Sequence, residues 1–161
     1  MDRIIEPDGT RGGEGRLTVS APQIARILGG ERTLKRRIRT VADLREAVEE
    51  GLPVEALELT VRRVAGETSE ATQLKHRIVP KTTLHRRRVR LSPEESERVE
   101  RLARLTALAE AVWEDPQHAH EFLISSQPQL DDARPVDLAR SDLGLRQVED
   151  LLVKIEYALP V

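Results

Sequence analysis

Apolar residues recur three or four positions apart along most of this chain, a spacing that is typical of amphipathic helices. The predicted buried faces are Val41, Leu44, Ala47 and Val48; Val54, Leu57, Val61 and Val64; Val99, Leu102, Ala103, Leu105, Ala109 and Val112; and Leu145, Val148, Leu151, Leu152, Ile155 and Leu159. Trp113, Phe122 and Tyr157 are the only Trp, Phe and Tyr residues, whereas a β-sandwich normally contains more aromatic and β-branched residues. We therefore predict an all-α fold.

Residues that favour the ends of helices divide this pattern into separate elements. Ser20 followed by Pro22 predicts a helix start, and Gly29-Gly30 predicts its end. Further starts are predicted at Pro53, at Thr68 or Ser69, at Pro80, at Ser92 with Pro93 and Glu95, at Asp115-Pro116, and at Ser141 or Asp142. Thr33–Val41 is predicted to be extended, with Leu34 and Ile38 as its anchors.

The charged residues are distributed unevenly along the chain. Residues 1–90 contain 19 Lys/Arg and 13 Asp/Glu, whereas residues 91–161 contain 7 and 15. A basic first half and an acidic second half indicate two roles, the first of them facing an anionic partner. Residues 1–16 hold four of the nine glycines and little apolar content. We predict a disordered arm at 1–16, a helix-turn-helix-like domain at 17–90 and a small helical domain at 91–161.

Several classes of function lack their usual residues here. The chain has no cysteine, which excludes disulfides and thiolate zinc sites and fits a reducing cytoplasm. It also lacks a membrane-spanning apolar run, a leader segment, a Gly-x-Ser-x-Gly elbow, a phosphate loop and a dinucleotide fingerprint. His118 and His120 are two positions apart, so they point to different sides of a helix, unlike metal-binding pairs. We predict a cytoplasmic protein that is not an enzyme and has no cofactor or metal.

A basic segment in the first half is the candidate for nucleic-acid contact. Two short helices are predicted, Ser69–Val79 and Pro80–Arg90, and their tight join resembles a helix-turn-helix. The second helix carries the candidate DNA-binding residues Lys81, Thr82, Thr83, His85, Arg86, Arg87 and Arg88. Threonines near its start can reach base edges or phosphates, and arginines can neutralise phosphates and read guanine. The alternative is a solvated basic face that leads into the next helix.

The last predicted helix ends in an apolar segment. Lys154–Val161 includes Tyr157, and tyrosine is enriched at binding hot spots. Leu159-Pro160-Val161 adds further apolar surface. The periodicity allows two interpretations: the segment packs on the core of its own domain, or a partner protein covers it.

Four stretches of the chain resemble the antitoxins of the Xre/MbcA/ParS type. Three lie in the second half: RLSPEESERVERLARLTALAEAVWED, AHEFLISSQPQLDDARPVDLARSDLG and VEDLLVKIEYALPV. The fourth, ARILGGERTLKRRIRTVADLREAVEEGLPVEAL, is similar to the segment that leads into the family's helix-turn-helix. The resemblance covers residues 20–161 and rests on the order and spacing of these stretches. It implies a degenerate helix-turn-helix domain followed by a toxin-binding domain.

The resemblance also implies partners and a site. The partners are a RES-domain toxin that consumes NAD, promoter DNA, and a second copy of the chain, since antitoxins of this family usually dimerise. In the family, the last residues of the antitoxin block the toxin's active-site cleft. They correspond here to Lys154, Ile155, Glu156, Tyr157, Ala158, Leu159, Pro160 and Val161. Ala158 stands where the family frequently has glycine, and alanine favours a helix that continues toward Leu159.

The leading hypothesis is therefore an antitoxin of a type II toxin–antitoxin system, which neutralises its toxin and regulates its own operon. The main alternative is a stand-alone helix-turn-helix transcriptional regulator whose acidic half only dimerises. A third interpretation is a structural adaptor that does not bind DNA.

Overall fold

The regular structure of this protein is helical. A computed structural model describes residues 17–86 and 89–158. Their α-helices are α1 (Ala21–Ile27), α2 (Gly30–Leu34), α3 (Val41–Glu50), α4 (Val54–Ala65), α5 (Ser69–Ile78), α6 (Lys81–Arg86), α7 (Pro93–Trp113), α8 (Pro116–Ile124), α9 (Pro135–Leu138) and α10 (Asp142–Glu156). A 3-10 turn, Pro128–Leu130, lies between α8 and α9. The predicted all-α fold is confirmed, and the predicted arm at 1–16 lies outside the described residues.

Side-chain caps begin the helices at four of the seven predicted starts, and at Thr40, which was not predicted; the predicted starts at Pro53 and Thr68 have no side-chain cap. Capping boxes pair Ser20 with Gln23, Thr40 with Asp43, and Ser92 with Glu95. Asp115 accepts the N–H of Gln117 at 3.0 Å, and Ser141 accepts that of Gly144 at 3.1 Å. Each such cap contributes about 1 kcal/mol to the stability of its helix. Local sequence therefore determines where these helices begin.

The long helix α7 is the centre of the fold. Its 21 residues span about 32 Å at 1.5 Å per residue. It packs against α1, α3, α4 and α5 of the first half and against α8 and α10 of the second. The predicted stripe from Val99 to Ala109 is buried, and Val112 is partly buried against it. One continuous apolar core therefore serves both halves of the described chain. None of the described helices has the length and hydropathy needed to cross a membrane.

The second basic helix was predicted to reach Arg90, but α6 ends at Arg86. The residues around Arg90 pair instead with an extended segment around Pro53. The N–H of Leu91 donates to the carbonyl of Leu52 at 2.8 Å, and Val54 donates to Val89 at 3.0 Å. Arg90 therefore lies opposite Pro53 in an antiparallel bridge and is not helical. These contacts with a segment about 40 residues away replace the local hydrogen bonds of a helix.

Two predictions nearer the N-terminus were also wrong in part. Thr33 and Leu34 belong to α2, because the chain resumes a helix after left-handed Gly29. The predicted anchors Leu34 and Ile38 are buried. Val41 was predicted to be buried, but 75% of its surface is exposed. It lies in the first turn of α3, which projects beyond the core.

Candidate functional site

The C-terminal end of α10 is the first candidate site. Lys154, Glu156 and Tyr157 are exposed, and Tyr157 retains 41% of its accessible surface. Ile155 is half-buried and packs against the core. The described part of the predicted segment therefore presents charged and aromatic groups from the end of an anchored helix. Leu159, Pro160 and Val161 lie outside the described residues.

The helix does not continue through Ala158, contrary to the prediction. α10 ends at Glu156 with Tyr157 as its C-cap, and Ala158 has a left-handed φ of +50°. The N–H of Ala158 donates to the carbonyl of Ile155 at 3.2 Å, one of the bonds of a Schellman ending. This conformation costs a non-glycine residue about 1–2 kcal/mol, whereas glycine adopts it readily. The glycine that the resemblance places here suits this turn.

The start of α10 lies very close to α9. A Cβ atom on Gly144 would lie 2.1 Å from the carbonyl oxygen of Leu138 and 2.8 Å from its carbonyl carbon. Because these are backbone atoms, they cannot move aside unless α9 moves as well. Glycine therefore permits this approach, and the approach sets the position of α10 and of its C-terminal end.

A network of four charged side chains, which we call the clasp, joins α5 to the segment around α9. Arg134 donates to both carboxylate oxygens of Asp137, at 2.8 and 3.2 Å, and to Glu70 at 2.8 Å. Arg77 donates to Asp137 at 2.8 Å. Burial alone would raise the pKa of Asp137, but Arg134 and Arg77 outweigh it and hold this pKa below its ordinary value. The clasp is therefore charged at neutral pH.

We expect Asp137→Asn to weaken the clasp in a pH-dependent way. The loss of stability at pH 7 should be about 1 kcal/mol, the upper range for ion pairs that solvent reaches. Because the folded-state pKa of Asp137 lies below the unfolded value of about 3.9, the stabilisation is complete above that pH and is lost as the pH falls through the folded-state pKa. Urea unfolding of both proteins between pH 7 and pH 3 measures the difference.

Asp142→Asn is the matched control for this prediction. Asp142 lies 3.5 Å from Arg101, but its side chain is 74% exposed, so its replacement should change stability little. Equal unfolding free energies for Asp137→Asn and the unmodified protein at pH 7 would show that the clasp does not stabilise the fold.

The second candidate site is α6. Lys81, Thr82, His85 and Arg86 are exposed and Thr83 is half-buried. Lys81 and Arg86 form no ion pair with any other described residue, so their charges are available to an anionic partner. The predicted residues Arg87 and Arg88 lie outside the described part of the chain.

A tight turn places α6 directly after α5. Buried Val79 ends α5, and the carbonyl of Pro80 accepts the N–H groups of Thr83 and Leu84 at 2.9 and 3.0 Å. Leu84 packs against the core, which leaves Lys81 and Thr82 on the outside. Two helices with this short join, the second of them exposed, resemble the predicted helix-turn-helix, and its assignment to α5 and α6 stays a prediction.

The histidines of α8 make local contacts. The Nδ1 atom of His118 lies 2.6 Å from the carboxylate of Asp115, and the ring of His120 hydrogen-bonds with the carbonyl of Val64. In residues 17–86 and 89–158, no three His, Cys, Asp or Glu side chains lie together as a set of metal ligands.

Fold and surface define a class of protein: an exposed basic helix-turn-helix joined through α7 to a small acidic helical domain. Residues 43–104 match the Antitoxin Xre-like helix-turn-helix domain, and residues 108–158 match the Antitoxin Xre/MbcA/ParS C-terminal toxin-binding domain. No curated protein matches the chain closely enough to count as a relative. The chain belongs to the Xre/MbcA/ParS-type antitoxins, whose toxin-binding and helix-turn-helix domains imply a toxin and DNA as partners. The resemblance seen in the sequence is confirmed.

Sequence reasoning missed the clasp and the role of Gly144. Glu70 and Arg134 are 64 residues apart, and no local pattern connects them. Gly144 did give a signal, because an isolated glycine inside a helical pattern often marks a close approach. The domain boundary predicted between residues 90 and 91 stays a prediction. The two matched intervals, 43–104 and 108–158, each include part of α7, so they do not locate that boundary.

Proposed function

We propose that this antitoxin neutralises a RES-domain toxin that consumes NAD, by placing residues 154–161 over the toxin's active site. The observation that carries the proposal is the exposed end of α10, where Lys154, Glu156 and Tyr157 project from a helix anchored in the core. A segment held on a rigid helix loses little conformational freedom on binding, which favours high affinity. The family resemblance supplies the class of toxin.

The exposed side chains suit a cleft that normally binds NAD. The carboxylate of Glu156 can pair with cationic groups that otherwise hold the phosphates of NAD, and such charge-assisted hydrogen bonds are among the stronger ones in proteins. Tyr157 adds a large aromatic contact with few rotatable bonds. The segment would occupy the place of the substrate, so inhibition should be competitive with NAD.

Co-expression with a RES-domain protein encoded beside this gene tests the proposal. We expect the two proteins to elute as one complex in size-exclusion chromatography, with NAD consumption by the purified toxin falling to background as antitoxin is added. A saturated complex that still consumes NAD would contradict the covering of the active site. Failure to form any complex would contradict the choice of toxin.

We further propose that α6 contacts the promoter and that the toxin–antitoxin complex contains an antitoxin homodimer. The exposure of α6 and the unpaired charges of Lys81 and Arg86 support DNA contact. In a dimer, two copies of α6 would meet half-sites about one helical turn of DNA apart. Both activities place the protein in the cytoplasm.

We expect Arg86→Ala to weaken promoter binding about tenfold and to reduce the slope of log K against log salt by about one. The physical reason is the loss of one phosphate contact and of its released counterion. Fluorescence anisotropy with labelled promoter DNA at several salt concentrations measures both. Arg62→Ala is the control, because Arg62 lies on α4 and pairs with Glu67 at 3.5 Å. Equal affinities for Arg86→Ala and the unmodified protein would favour a solvated basic face.

A stand-alone transcriptional regulator is the second candidate function, and the exposed basic α6 is equally compatible with it. Such a protein would bind its promoter without responding to any toxin. The same anisotropy assay, repeated with added RES-domain protein, separates the two functions.

A further inference from the structure

We propose that residues 30–39, which we call the α2–α3 segment, are a second DNA contact that binds the phosphate backbone beside α6. The segment comprises α2 and the residues that lead from it to α3. It precedes both matched intervals, 43–104 and 108–158, so neither matched domain includes it. The inference rests on the proposed DNA contact of α6, and it adds a contact that does not depend on base sequence.

The α2–α3 segment is one of two strongly basic stretches in the chain. It contains five Lys/Arg and one Asp/Glu, and residues 81–90, which include α6, contain five Lys/Arg and no Asp/Glu. Double-stranded DNA has a dense array of phosphate charges, and each phosphate that Lys or Arg neutralises adds affinity by releasing counterions. The positive charge of the first half is therefore concentrated at α6 and at this segment.

The cations of the α2–α3 segment lie on its outer side. Thr33, Leu34 and Ile38 are buried and attach the segment to the core. Burial alternates over residues 37–39, with Ile38 inside and its two neighbours outside. Four of the five cations are exposed: Arg32, Lys35, Arg37 and Arg39. One side of the segment is thus a basic surface that faces solvent.

The charges of this surface are available to an anionic partner. Arg32 and Lys35 form no ion pair with another described residue. Arg37 lies 3.5 Å from Glu31, but both side chains are 66% exposed. Such an exposed pair contributes little free energy, so a DNA phosphate can replace the carboxylate of Glu31 at low cost.

Acidic residues of α3 hold the α2–α3 segment in place. Arg36 donates to Glu46 at 3.3 Å and to Glu50 at 2.8 Å. The carboxylate of Asp43 accepts the backbone N–H of Arg39 at 2.8 Å. Because these contacts order the segment before any partner binds, it loses little conformational freedom when DNA binds.

The α2–α3 segment and the residues that follow α6 meet at the same end of α3. Glu50, the last residue of α3, bonds to Arg36. The carbonyl of the next residue, Gly51, accepts a hydrogen bond from Arg90 at 2.8 Å, and Arg90 is four residues beyond the end of α6. Phosphate contacts beside a recognition helix fix its register on the duplex. This position favours DNA over the toxin, because the matched toxin-binding domain begins only at residue 108.

A double variant, Arg32→Gln with Lys35→Gln, tests this inference. The probes are two labelled duplexes of equal length, the promoter and an unrelated sequence, and affinity is measured by fluorescence anisotropy at several salt concentrations. We expect affinity for both duplexes to fall at least tenfold and the slope of log K against log salt to decrease by about two, because two phosphate contacts are lost. The ratio of the two affinities should stay within twofold of the original, since no base contact is removed.

Arg62→Gln with Arg140→Gln is the matched control. It removes the same number of positive charges from exposed positions, one on α4 and one after α9, so an effect of net charge alone would appear in both double variants. Its affinity for both duplexes should stay within twofold of the original. The melting temperatures of both double variants should equal that of the unmodified protein, because the replaced side chains are exposed.

The outcomes separate this inference from the proposed function. If Arg86→Ala weakens promoter binding while Arg32→Gln with Lys35→Gln changes neither affinity nor slope, the inference is overturned and the contact of α6 stands. If that double variant binds DNA normally but binds the purified RES-domain protein less tightly, the segment contacts the toxin, and the inference is again overturned. A loss confined to the promoter would show base reading and would overturn the backbone contact. If the unmodified protein binds neither duplex, the proposed DNA contact itself fails and the inference fails with it.

Discussion

Gly144→Ala is expected to destabilise the protein by about 3 kcal/mol, the upper part of the usual range for overpacking. In an unconstrained helix the same change would stabilise by up to about 1 kcal/mol, because alanine has the higher helix propensity. The sign reverses here because the new Cβ would lie 2.1 Å from the carbonyl oxygen of Leu138. In a chain of this length the melting temperature should fall by roughly 6–12 °C.

The control for Gly144→Ala is Gln147→Ala, an exposed position one turn further along α10. It should leave the melting temperature nearly unchanged, since glutamine already has the Cβ atom that alanine keeps and its side chain is exposed. A Gly144→Ala protein that melts at or above the original temperature would show that α9 and α10 can separate at little cost. Where the variant remains folded, weaker toxin binding is also expected, because α10 carries the proposed blocking segment.

Deleting Tyr157–Val161 is expected to abolish toxin inhibition while leaving the fold intact. The physical reason is that Tyr157 and Ala158 are exposed beyond the end of α10, so their removal exposes no core. NAD consumption at saturating truncated antitoxin should approach that of free toxin. Thermal unfolding followed by circular dichroism should show an unchanged melting temperature.

This deletion also decides between the two interpretations that the apolar periodicity left open. If the segment packed on its own core, the truncated protein would melt at a lower temperature. Ala158→Gly is a control that keeps the segment: glycine adopts the φ of +50° without the cost of a side chain, so inhibition should be at least as strong. Undiminished inhibition by the truncated antitoxin would contradict the blocking mechanism.

Helix capping and apolar periodicity explain most of the helices that were predicted from the sequence. Ser20, Ser92 and Ser141 cap helices by hydrogen bonds within three residues, and the apolar stripe of α7 follows helical period. One prediction failed because a distant contact opposed the local preference. Arg90 leaves the helical pattern because its neighbours pair with Leu52 and Val54.

The candidate sites also differ in whether neighbouring residues or tertiary packing produce them. The segment at the end of α10 and the basic residues of α6 could be proposed as binding sites from sequence, because charged or aromatic groups at helix ends form a local pattern; as binding sites they stay predictions. The clasp was not found, since its partners meet only when α5 packs beside α9.

The sequence by itself determined the helical class, the order of the helices, most of their starting points and the family, because capping, periodicity and motif order are encoded in neighbouring residues. Only the tertiary structure decided how α10 is placed and what it offers to a partner. That placement depends on a 2.1 Å approach that glycine permits at Gly144, on the clasp, and on the left-handed turn at Ala158. The first two arise between elements that have packed together, so the order of residues along the chain does not show them. The third overrides the helical preference of alanine at the point where α10 ends.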